Sequence, residues 1–148
     1  MTKSSPPNDF GPAIEILNRA LTLEYSIVIH FPRISAVFKD RDIRDKALYL
    51  STASVKHANE VASAIEKLGG KPEWSFEPFP DDDLVKLFET QIEKEHLAHE
   101  LHLECVRLLP EGLKPKFREM AREEEWHAKV ALEVCDYLKG LNADTINR

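Results

Sequence analysis

The chain has 148 residues, of which 31% are charged and 43% hydrophobic, and it carries a formal net charge of −6. That length suits one domain with a real apolar core, and an acidic chain without a basic run is not expected to take nucleic acid as a partner. No apolar run in it approaches the roughly 20 residues that a membrane-crossing helix needs.

Cys105 and Cys135 lack CxxC spacing and sit inside helical patterns, so no disulfide framework is implied and the expected compartment is a reducing cytoplasm. Residues 1–10 are polar and Pro-rich and read as a disordered arm rather than a signal peptide. The folded domain is expected over residues 11–140, with 141–148 as a short tail.

Gly11-Pro12 opens the first predicted helix, with Pro at a first-turn position where its missing N–H costs nothing. Ile14, Leu17, Leu21, Ile27, Val28 and Phe31 recur at helical spacing, and Glu24 lies on the same stripe. Pro32 should kink the helix, and the pattern runs on to about Phe38. The short charged turn Lys39-Asp40-Arg41-Asp42 predicts an antiparallel second helix. Its inward line is Leu50, Ala53, His57, Val61, Ala64, Ile65 and Leu68, and Gly69-Gly70 ends it.

Residues 70–80 hold three prolines and can reach about 36–40 Å when extended. A helix of some 26 residues is ~39 Å long, so this linker could cross the bundle and set the second and third helices parallel. Asp81-Asp82-Asp83 should cap the third helix, whose inward line reads Leu84, Phe88, Ile92, Glu95, His99, His102, Val106 and Leu109. Pro110-Glu111-Gly112 breaks it. A fourth helix should run from Leu113 or Pro115 to Lys139 and close at Gly140. Four long amphipathic helices make an all-α bundle.

The two halves repeat each other. Thirty-three residues separate Glu24 from His57 and thirty-two separate Glu95 from His127. His57-Ala58 matches His127-Ala128, and Leu68 and Gly70 match Leu138 and Gly140 at equal offsets. Glu124 stands three residues before His127, so both project from one face of the fourth helix. The counterpart of Glu124 in the first half is Ser54.

Glu24, Glu95 and Glu124 gathered in a dry core would repel one another unless they held protons or met a cation. No Lys or Arg shares the inward line within two turns of them, which points to a metal. Carboxylate and imidazole ligands without thiolates suit iron or manganese, with zinc a further occupant.

A Glu from each of two helices and a Glu-x-x-His from each of the other two is the di-iron carboxylate arrangement of ferritin-like bundles. Leu23-Glu24-Tyr25, Lys56-His57-Ala58, Leu68-Gly69-Gly70-Lys71-Pro72, Glu95 and Glu123-Glu124-Glu125-Trp126-His127 resemble the bacterioferritin and rubrerythrin branch over residues 11–140. The resemblance implies two antiparallel helix pairs joined by a crossover at about 70–80, with Glu24 and His57 serving one iron, Glu95 and His127 another, and Glu124 bridging. It also implies ferroxidase or oxygen- or peroxide-reducing activity, and a homodimer rather than a storage cage. Ser54 replaces the family's other bridging Glu, so the expectation is a centre of one ion or two. Val55 stands where haem-binding bacterioferritins have their axial Met, so haem is not expected.

His99 and His102 follow Glu95 by four and seven residues. His99 is read as a ligand in place of the missing acid, against a hydrogen-bonded pocket histidine as the bland alternative. Two other functions stay open: a metal-free structural or interaction bundle with protonated carboxylates, and a mononuclear or mixed-metal oxidase.

Overall fold

The computed structural model describes residues 10–80 and 82–146; residues 1–9 of the arm expected over 1–10, Asp81 of the expected cap and the last two residues lie outside them. Four helices, α1 (Gly11–Ser35), α2 (Arg41–Lys67), α3 (Leu84–Leu108) and α4 (Lys114–Ile146), form the bundle. A single 3-10 turn, Glu111–Leu113, precedes α4, and no strand occurs among the described residues.

Local chemistry sets most of the ends. Asp40 and Asp83 are the N-caps of α2 and α3, their carboxylates accepting from the amides of Ile43 and Lys86 at 3.1 and 3.2 Å. At the end of α2, Gly70 N–H donates to the Ile65 carbonyl and Gly69 N–H to that of Glu66, a Schellman pair that puts Gly69 at φ +86°. Two ends differ from the sequence expectation. Helix α1 stops at Ser35 rather than near Phe38, three residues after Pro32, which has no N–H for the Val28 carbonyl. Gly140 does not close α4, which runs on to Ile146. Gly140 does not adopt the left-handed backbone that a terminating glycine supplies, since only Gly69 does so among the described residues.

The linker fixes the topology. Asn18 brackets its start, donating to the Lys71 carbonyl and accepting from the Glu73 amide. Further along, Ser26 Oγ accepts from the Glu77 amide at 2.8 Å, and His30 Nε2 lies 3.0 Å from the Glu77 carbonyl. The segment therefore ascends beside α1 from its first turns to its last, where Phe79 is buried edge-on against Phe31. Helix α3 starts there and descends parallel to α2. Of the other linker aromatics, Trp74 and Phe76 pack edge-on against Tyr25 but remain about half exposed.

The core has two oily ends. Leu17, Leu21, Val61, Ile65, Leu101, Phe117 and Met120 fill one; Ile27, Phe31, Leu50, Leu87, Phe88 and Val134 fill the other. Each such side chain contributes roughly 1.5–3 kcal/mol by leaving water. Between these ends, on all four helices, lies a polar waist.

Candidate metal centre

Each helix contributes to the waist. Helix α1 supplies Glu24, α2 His57, α3 Glu95 and His102, and α4 Glu124 with His127; none is more than 1% exposed. They fall into two groups that share Glu124: Glu24, His57, His102 and Glu124, and Glu95, Glu124 and His127. Within each group one ligand atom per residue lies within 4.8 Å of the others.

Glu124 faces both ways. Its Oε1 is 2.6 Å from His57 Nδ1, and its Oε2 is 3.5 Å from His127 Nδ1. Glu24 Oε1 reaches His57 Nδ1 at 3.3 Å. His127 Nδ1 and Glu95 Oε2 lie 3.2 Å apart without the alignment of a hydrogen bond. His57 turns its other nitrogen outward, Nε2 lying 3.2 Å from Glu123, whose side chain is 35% exposed. That contact fixes the ring and leaves Nδ1 directed into the core.

The waist is electrically strained. Burial alone would lower the His57 pKa, but hydrogen bonds to Glu124 and Glu24 outweigh it and raise the value to about 11. His127 is likewise held up to about 10 by Glu124 and Glu95 against burial. Burial would raise Glu124, yet His102, His127 and His57 draw it well below the usual carboxylate range. Glu95 goes the other way, pushed well up by burial and by the charge of Glu124.

Protons do not complete this network. Glu24 Oε2, Glu95 Oε2, Glu124 Oε2, His127 Nδ1 and both nitrogens of His102 are buried without a hydrogen-bond partner. Each orphan costs on the order of 1–3 kcal/mol. Carboxylate and imidazole donors converging from four helices are a set that iron, manganese or zinc accepts, so the residues fit a metal.

Three solved structures share the architecture. A ferritin-like diiron-carboxylate protein from Bacillus anthracis superposes with a TM-score of 0.74 at 20% identity, over 84% of this chain and 95% of its own. A protein of Bacteroides fragilis, described as a dodecameric thioferritin related to bacterioferritin, gives 0.75 at 18% identity over 93% and 92%. The bacterioferritin of Desulfovibrio desulfuricans, whose diiron site was captured in different catalytic states, gives 0.73 at 19% identity over 88% and 81%. The chain has the ferritin-like fold. No protein-family model matches it, nor does any curated protein at a significant level.

Within this ferritin-like bundle, Glu24, His57, Glu95, Glu124 and His127 do converge. His99 does not join them. Its Nδ1 lies 2.7 Å from the Ala121 carbonyl and its Nε2 3.4 Å from the largely exposed Glu125, at the flank of the waist. The imidazole that enters the core from α3 is His102. A further residue escaped the sequence reading: Gln91, fully buried, donates from Nε2 to Glu95 Oε1 at 2.7 Å. Its position four residues before Glu95 was the available signal. Ser54 is buried, with its hydroxyl unpartnered. Glu60 sits at the surface opposite Lys116, 3.6 Å away.

Proposed function

We propose that this ferritin-like chain binds one or two iron ions at its waist through Glu24, His57, Glu95, Glu124 and His127, and uses them to reduce dioxygen or peroxide. The observation that carries the reading is the shared carboxylate: Glu124 sends one oxygen to each of two buried ligand groups. Bound iron would supply the electron, passing from ferrous to ferric. The chain's own residues bind it, keep bulk water away, and hold protons on His57 and His127 until the ion displaces them.

The test is anaerobic ferrous loading of chelator-stripped protein, followed by metal analysis and then by air or peroxide. At least one iron per chain and oxidation faster than in free solution are expected. Substoichiometric iron, manganese and zinc after loading would overturn the reading in favour of a structural bundle. A homodimer formed through α1 and α2, whose Ile29, Leu48 and Val55 are exposed, is the proposed assembly, with sedimentation as its measurement. The two buried free cysteines suit the reducing cytoplasm proposed as its compartment.

A further inference from the structure

We infer that His102 replaces the carboxylate absent at Ser54, so that the centre is unsymmetrical: a four-ligand position made by Glu24, His57, His102 and Glu124 stands beside a three-ligand position made by Glu95, His127 and Glu124. This rests on the metal-binding reading above and goes beyond it in assigning a ligand and a division of labour.

The placement of His102 carries the argument. Its ring is 0% exposed, held edge-on by Phe117 at 5.7 Å between centroids. Nε2 lies 3.6 Å from Glu24 Oε1 and 3.5 Å from Glu124 Oε1, close to both but hydrogen-bonded to neither. An imidazole nitrogen nearly equidistant from two carboxylate oxygens, with His57 Nδ1 completing the group, is placed to share one cation with all three. Ser54 Oγ, also buried and unpartnered, belongs to a side chain too short to stand in for a bridging Glu.

The substitution changes charge as well as geometry. A neutral imidazole in place of an acid leaves three carboxylates facing two divalent ions, so an anion from solvent, such as hydroxide, is needed for balance. The three-ligand position is where coordination room remains for it. His102 is also the less supported imidazole, since its Nδ1 has no acceptor whereas His57 Nε2 faces Glu123. The four-ligand position should hold its ion tightly, and the three-ligand position should exchange its ion.

Zinc, which is redox-inert, is the probe. Calorimetric titration of the chelator-stripped chain is expected to show two zinc ions of unequal affinity. His102→Leu is expected to weaken the tighter one at least tenfold, and Ser54→Glu combined with His102→Leu to restore it. Circular dichroism confirms that the variants fold; should His102→Leu fail to fold, His102→Asn takes its place. In zinc-loaded crystals an anomalous peak at about 2.0–2.1 Å from His102 Nε2 is expected. Unchanged affinities in the folded His102 variant, or no peak beside His102, overturn this inference alone. A wild-type chain that takes up neither zinc nor ferrous iron overturns it together with the proposed function.

Discussion

Glu124 Oε1 lies 2.6 Å from His57 Nδ1 across the seam between α4 and α2, both groups being cut off from water. One carboxylate thus ties the first half of the repeat to the second.

Glu124→Ala should be the most damaging single change at the waist. Removing one partner of a buried charged pair costs on the order of 3–5 kcal/mol in the metal-free protein, because the imidazoles are left uncompensated. Denaturant unfolding measures this, and metal analysis should find that neither ion is retained. Near wild-type metal content in this variant would contradict the bridging role.

Glu123→Ala should separate orientation from ligation. Glu123 touches His57 only through Nε2, and its loss leaves every core donor in place. Metal affinity is expected to fall about 10–100-fold, the usual effect of removing a group that orients a ligating histidine. Melting temperature of the metal-free protein should barely move. A variant with unchanged affinity would show that packing alone orients His57.

The pH dependence follows from the raised imidazoles. His57 and His127, at about 11 and about 10 in the fold, ordinarily titrate near 6.5. Their stabilising contribution is complete below 6.5 and is lost as pH climbs toward the folded values. Glu124, drawn down, stabilises above the ordinary 4.5 and loses that contribution as pH falls through its folded pKa. Glu95, pushed up, opposes folding once pH passes 4.5. The Tm of chelator-stripped protein should therefore decline between pH 6.5 and about 8.5. The increase in Tm caused by added manganese should grow over the same interval, because the ion displaces protons. A flat or rising metal-free profile there would refute the assignment.

Two glycine substitutions should have opposite signs. Gly69→Ala puts a Cβ on a residue at φ +86° and should cost about 1–2 kcal/mol. Gly140→Ala, inside α4 with nothing within 4 Å of the added carbon, should gain up to about 1 kcal/mol. Thermal unfolding of the two variants checks both.

Much of this was legible in the sequence because helical periodicity and the internal repeat placed the acids at one level. Glu24, Glu95 and Glu124 stood on apolar stripes, and an apolar stripe faces the core. The choice between His99 and His102 was beyond that reasoning. At about 100° per residue they flank Glu95 by about 40° on one side and 20° on the other, both inside the apolar arc. Packing against α4 decided it, turning Gln91, Glu95, Ala98 and His102 inward and leaving His99 on the Ala121 carbonyl. Gly140 misled for a related reason: a glycine ends a helix only where the following chain turns away, and here it continues. The linker's direction needed its hydrogen bonds to α1, since its length allowed the crossover without requiring it.

Because that segment is pinned to α1 and reaches α3 through Glu77 and Lys94, 3.9 Å apart, it roofs the seam between those two helices. Among the described residues no linker crosses the opposite seam, between α2 and α4; there Tyr49 packs edge-on against His127, and Glu123 meets solvent beside His57. On that face the buried imidazoles of His127 and His57 lie directly beneath an exposed tyrosine and a partly exposed glutamate, the thinnest wall the waist has against solvent among the described residues.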